Sequence, residues 1–288
     1  MNTPYLNNER SQIPKFFPSA DIDNWGFGVP APGNSAPPFM ALMVNSIPDL
    51  GLAGISAVQF FPRYSFDERS EDGLFGALDD DGTPFRRVDN VTDEILADYQ
   101  TSFGTDVTKD EIFFYLYGIL HSPDYRAHFE SDLRKMLPRI PKVNDFQAFS
   151  DAGRKLSKLH LNYETVEPYP LDERRGVNTS FRVEKMKYAK TGRVADKSTV
   201  IYNSGITVSG IPEEAHEYML GSRSAIDWII ERYQVKTDKA SGIINDPNDW
   251  AEEQGNPRYI LDLLARIVTV SVETVKIVKS LPSLEILE

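Results

Sequence analysis

The stretch EIFFYLYGILHSPDYR, residues 111–126, places five aromatic rings, a histidine and a proline within sixteen positions and constrains the fold more than any other part of the chain. Thr108 followed by Glu111 forms a capping box, so a helix starts there. Ile112, Tyr115, Leu116, Ile119 and Leu120 fall on one face at helical spacing, while Phe113, Phe114 and Tyr117 cover other faces. A helix apolar on most sides has to be enclosed, so these rings are predicted to be core. Ser122 and Pro123 suit the N-cap and first turn of a second helix, with Tyr125, Phe129, Leu133 and Met136 inward. HSP is then a corner between helices. LPRIP (137–141) stops the second helix, and Asn144 is placed to cap a third through Phe146, Phe149, Leu156 and Leu159.

Before this helical block, residues 1–105 are rich in Pro, Gly and Asn, with short apolar runs such as FMALMV (39–44) and AVQFFPRYSF (57–66) that predict strands between loops. Residues 67–82, DERSEDGLFGALDDDG, hold seven acids and one arginine and predict a solvated loop that repels phosphate. Asp79, Asp80 and Asp81 lack the alternating spacing and distal Glu of a calcium loop. Residues 106–165 form the helical scaffold, and 166–211 a region of strand chemistry. There FRVEKMKYA and STVIYNSGITVSG flank a turn-prone KTGRVADK and predict a long hairpin. Residues 212–288 return to helices, with EEAHEYML, SAIDWIIERY and a segment opening at Asn256 and Pro257 whose valines weaken its helix propensity. The expected fold class is α+β: a β-rich N-terminal part with a basic β-hairpin, supported by a helical scaffold and C-terminal helices, all within one domain spanning 1–288.

Charge and composition exclude several function classes. Against 31 Lys and Arg stand 43 Asp and Glu, a net of −12, so a protein that coats nucleic acid over its whole surface is excluded and any DNA contact must be local. Without cysteine there is no disulfide scaffold, thiol nucleophile or ordinary structural zinc site. The N-terminus has no basic start followed by an apolar core, and YILDLLARIVTVSV is interrupted by Asp262 and Arg266, so neither a signal peptide nor a membrane span is expected and the cytoplasm is the default address.

Catalytic motifs are missing where they would be sought. SAPPF (35–39) resembles the Asn-Pro-Pro-Tyr type motif of amino-methyltransferases, but Ala36 stands where the hydrogen-bond acceptor belongs. None of the lysines has Asp or Glu two residues before it, as a magnesium-dependent restriction nuclease would. There is no Gly-Lys dipeptide for a phosphate loop, and GFG (26–28) lacks dinucleotide-fingerprint spacing. His121, Asp124 and His128 have offsets that suggest a metal site, but Pro123 breaks their helical geometry.

The chain is similar to the C-terminal target recognition domain of type ISP restriction-modification enzymes. The similarity is carried by IPDL (47–50), FPRYSF (61–66), DEIFFYLYGILHSPDYR (110–126), DLRKMLPRIP (132–141), GRKLSKLHLNYE (153–164), VEKMKY (183–188) and AIDWIIERYQVKTDKASGIINDPNDW (225–250). YGILHSP and LPRIP are its most specific pieces. The resemblance implies a much longer natural polypeptide with a nuclease, a helicase-like ATPase and an N6-adenine methyltransferase ahead of this domain, Met1 being either an internal boundary or the start of a separate gene product. It implies no cofactor in this chain, while the parent enzyme uses S-adenosylmethionine, ATP and Mg. It implies double-stranded DNA and the attached methyltransferase and helicase domains as partners, and no membrane.

The resemblance labels no base-contacting residue, so candidates come from charge. Six Lys or Arg (182, 185, 187, 190, 193 and 197) against Glu184 and Asp196 make Arg182–Lys197 the most basic short patch. Of these, Lys185, Lys187, Lys190, Arg193 and Lys197 lie on or near the hairpin tip, where long cations reach phosphates or guanine edges. Regular pairing would put Lys185 and Lys187 on one face and Glu184 on the other. Arg86, Arg87, Ser222, Arg223 and Ser224 are further candidates, whereas Arg63 is expected to be tied to core packing or an internal acid. The competing readings are a docking module for the methyltransferase with little DNA binding of its own, and an autonomous hydrolase, for which no residue constellation is present. A monomer is expected.

Overall fold

The computed structural model describes residues 13–33, 38–48, 52, 58–68, 84–177 and 179–287. Asp49, Leu50, residues 35–37 and the acidic stretch 69–83 with Asp79, Asp80 and Asp81 lie outside them. The chain forms two compact units. One comprises residues 1–161 with 281–288; the other comprises 162–280. Both sheets and helices are present, so the fold class is α+β.

In the first unit a short helix α1 (Ile13–Phe16) precedes an antiparallel sheet of β1 (Gly26–Pro30), β2 (Leu42–Val44) and β3 (Val58–Pro62), in the order β2-β1-β3. β4 (Tyr64–Glu68) and β5 (Phe85–Asp89) make a separate antiparallel pair. Helix α2 (Asp93–Phe103) follows inside what the sequence predicts as a β-rich region. Thr92 caps it, accepting from the Ile95 N–H at 3.3 Å, and Asp93 and Glu94 suit its N-terminal dipole.

Helix α3 (Lys109–His121) starts at the expected capping box: the Thr108 N–H donates to Glu111 Oε2 at 2.8 Å and the Glu111 N–H to Thr108 Oγ1 at 3.2 Å. It is enclosed on nearly every side, with Trp25 stacked on Phe114 (5.3 Å) and edge-on to Phe113 (4.9 Å), and Tyr115 4.9 Å from Phe146. Its closest partner is α6 (Phe146–Leu161). A Cβ on Gly153 would lie 1.9 Å from the Phe114 carbonyl oxygen, and one on Gly118 would lie 2.1 Å from that of Phe149. The two backbones therefore touch, and only glycine fits at either place. Ser122 caps α4 (Pro123–His128) as expected, but the predicted second helix breaks at Phe129 and resumes as α5 (Glu130–Leu133). Met136 lies beyond α5, 39% exposed rather than inward. Among the described residues Asn144 caps no helix; its side chain donates to Glu285 at 3.0 Å, because residues 285–287 return to pair with 142–144.

The second unit is built on a four-stranded antiparallel sheet, in the order β6-β9-β8-β7, of β6 (Asp172–Arg175), β7 (Lys187–Thr191), β8 (Val194–Ile201) and β9 (Ile206–Ser209). The predicted EEAHEYML helix is instead a 3-10 turn (Glu213–Glu217) leading to the pair β10 (Met219–Leu220) and β11 (Arg223–Ser224). Helix α7 (Ala225–Arg232) follows, then the hairpin β12 (Lys236–Thr237) and β13 (Ile244–Asn245), α8 (Pro247–Glu253) and α9 (Tyr259–Lys279). The valines of α9 do not break it, since Val268, Val270, Val272 and Val275 are all buried and tertiary packing overrides propensity. None of the described helices is long and apolar enough to cross a membrane.

Candidate nucleic-acid interface

The basic hairpin exists, at 187–201, with Gly192 (φ 65°) and Arg193 as its two-residue turn between the Thr191↔Val194 pair. Residues 181–186 are not strand as expected. Lys185 makes an isolated bridge to Gln234, so the anticipated alternation of Lys185 with Lys187 does not apply. Pairing also shifts inside the hairpin: Tyr188 faces Val200, whereas Ala189 faces Asp196, so residues 197–199 bulge out of β8.

Root and tip of this hairpin differ. At the root the Tyr188 hydroxyl donates to Asp227 Oδ1 at 2.8 Å, and the Tyr188 ring packs against His216 (5.8 Å) and under the Lys197 ammonium (5.9 Å). His216 Nε2 lies 3.0 Å from the Lys197 carbonyl. Burial and the Asp227 bond push the Tyr188 phenol well up, so it stays a donor. Burial works against ionisation of Asp227, but the Tyr188 and Ser224 hydroxyls hold its carboxyl below the usual range. The tip is solvated, with Lys190 and Arg193 exposed, and Lys187 and Lys197 at the root and Lys185 before it are exposed as well. Among the described residues none of these five forms an ion pair.

The remaining candidates are placed differently. Arg182 leaves the basic patch for an acid cluster, pairing with Asp246 at 2.6 Å and with Glu252. Arg223 pairs with Glu231 and lies over Trp228 (5.2 Å). Ser224 is 1% exposed as the N-cap of α7, so its hydroxyl is already used, while Ser222 is exposed. Arg86 and Arg87 belong to β5 in the other unit, Arg86 paired with Asp67 at 3.1 Å and Arg87 over Tyr64 at 4.5 Å. Arg63 is buried against Asp89 and Asp110, as the sequence predicts. A groove of about 700 Å³ that sequence reading missed runs past Val177, Thr179, Ser180, Lys185, Asn203 and Val235. It joins four separate loops, which no local motif announces.

His121 is buried with Nδ1 2.8 Å from the Tyr117 carbonyl, and Asp124 accepts from the Leu284 N–H at 3.2 Å. Among the described residues no group of three or more His, Asp or Glu side chains is placed to hold a metal ion.

Residues 2–263 match the Type ISP C-terminal specificity domain, and the chain belongs to that family. Among solved structures it is similar to a nuclease-deletion mutant of the Type ISP restriction-modification enzyme LlaGI in complex with a DNA substrate mimic. That similarity has 36% identity and a TM-score of 0.78, covering 99% of this chain and 24% of that one. It is similar also to the ATP-dependent Type ISP enzyme LlaBIII bound to DNA, at 33% identity and TM-score 0.82, covering 97% of this chain and 17% of that one. The DrdV–DNA complex matches at 29% identity and TM-score 0.81, covering 99% and 27%. The chain thus spans about a quarter or less of the length of the first two enzymes. No curated protein sequence matches it.

Proposed function

We propose that this chain reads the sequence of double-stranded DNA as the specificity module of a type ISP restriction-modification enzyme. In this reading it positions a target adenine for an attached N6-adenine methyltransferase and directs restriction, with no catalysis of its own. The methyltransferase extrudes the base, and S-adenosylmethionine, ATP and Mg belong to the other domains of a cytoplasmic parent enzyme. The observation that carries the reading is the set of five exposed cations, Lys185, Lys187, Lys190, Arg193 and Lys197, without acid partners on and beside one rooted hairpin. Cations that form no ion pair with a carboxylate keep their charge for phosphates.

A second reading, docking onto the methyltransferase with little DNA binding in isolation, draws on the β12–β13 hairpin, where Ile243 and Ile244 are 67% and 63% exposed. Selection of a random duplex library on the monomeric chain at low and near-physiological salt separates the two. Enrichment of one asymmetric motif that survives the higher salt is expected. Binding without enrichment, vanishing as salt rises, favours docking.

A further inference from the structure

The hairpin extends beyond the sheet that supports it. β9 pairs with β8 only at Thr199–Ile201, and β7 meets the same part of β8 only at Lys187 and Tyr188. Residues 189–191 and 194–196 therefore form a two-stranded ribbon, set off by the bulge at 197–199, with no further strand on either edge among the described residues. Such a ribbon has no core of its own to hold it. Its position is fixed at the root instead, by Tyr188, Asp227, His216 and the Lys197 carbonyl.

Its composition is that of a thin arm. Ala189, Thr191, Gly192, Val194 and Ala195 are all small, and the long side chains are the cations Lys190 and Arg193. The acid within it, Asp196, is engaged at the bulge, where it accepts from the Ser198 N–H (3.0 Å) and hydroxyl (2.6 Å). Val194 is 72% exposed at the tip, directly opposite Thr191. Cross-strand partners project to the same side of a ribbon, so the two β-branched side chains form one apolar patch at the tip of one face, with the Ala189–Asp196 pair behind it towards the bulge. Lys190 and Ala195 form the other.

Resting on the DNA-reading function above, we infer that the ribbon 189–196 enters the major groove and that the Val194–Thr191 patch contacts the methyl group of a thymine. The wide major groove of B-DNA admits a two-stranded β-ribbon without deformation of the duplex, and the thymine C5-methyl is exposed only there. Lys190 and Arg193 then reach the flanking phosphates and guanine acceptors.

The duplex motif enriched on the full chain supplies the probe. Each thymine in it is replaced by deoxyuracil, which removes only the methyl group. One replacement is expected to weaken binding of the wild-type chain by about threefold to tenfold, and to weaken the Val194→Ala variant by less than twofold. The groove is read separately. The chain has no cysteine, so Val194→Cys carries the sole thiol. It is offered duplexes with a disulfide tether on cytosine N4, which faces the major groove, or on guanine N2, which faces the minor groove. Trapping by the cytosine tether alone is expected.

Equal deoxyuracil penalties in wild type and Val194→Ala, or trapping by the guanine tether, overturn the inference while the enriched motif leaves the DNA-reading function standing. Failure to enrich any motif overturns both.

Discussion

Gly118 and Gly153 hold α3 and α6 at a separation that no other residue allows, since a methyl group at Gly153 would fall 1.9 Å from a backbone oxygen with no rotamer to relieve it. Gly153→Ala should therefore destabilise the first unit by about 3 kcal/mol, lowering its melting temperature by roughly 6–12 °C. A calorimetric scan checks this, and an unchanged melting temperature would show that the helices separate freely. His160 makes a second residue-scale prediction. It is fully buried, 2.6 Å from the Tyr117 hydroxyl, which itself accepts from the Met43 N–H. Burial lowers its pKa from 6.5 to about 3. Its neutral form therefore stabilises the fold fully above about pH 6.5. That contribution is lost as pH falls from there towards 3, by about 1.4 kcal/mol per unit for one histidine. Burial shifts His121 in the same direction. Urea titrations at pH 7 and pH 5 should show the loss, with a slope shallower by about one proton in His160→Gln.

At the level of elements, sequence carried far where signals are local and fell short where they are not. The capping box at Thr108, the Ser122–Pro123 corner and the enclosed aromatic helix were all legible, because each depends on residues within one or two turns. The basic hairpin was legible in place but not in pairing. The bulge at 197–199 meets His216 through the Lys197 carbonyl, and Lys185 bridges to Gln234, partners that lie far off in sequence. Arg182 shows the same limit, since charge in sequence cannot reveal that Asp246 and Glu252 come to meet it. Thr92, Asp93 and Glu94 announce helix α2 locally, within a region whose composition predicts strands. The Pro- and Gly-rich sequence before it outweighed a clear start signal. The hairpin also gives the element-scale prediction. If it clamps phosphates, Lys187→Ala, Lys190→Ala and Arg193→Ala combined should weaken binding and flatten the slope of log K against log salt by up to about 2.7. Fluorescence anisotropy across a salt series reads this, and an unchanged slope removes the hairpin from the interface.

Over the whole molecule the acidic excess is unevenly shared. Residues 162–280 hold 16 Lys and Arg against 18 Asp and Glu, leaving 15 against 25 for the rest. The nearly neutral unit carries the exposed cations, so a strongly negative chain keeps a phosphate-compatible region without becoming basic overall. The return of residues 285–287 to residues 142–144 has a bearing on how such a chain is made. Synthesis runs from the N-terminus, and all of 162–280 separates the two halves of this contact. At ribosomal rates the first unit waits roughly ten seconds for its last strip to emerge. Through that interval Val143 lacks its partner Ile286. The second unit thus has time to fold before the first is closed.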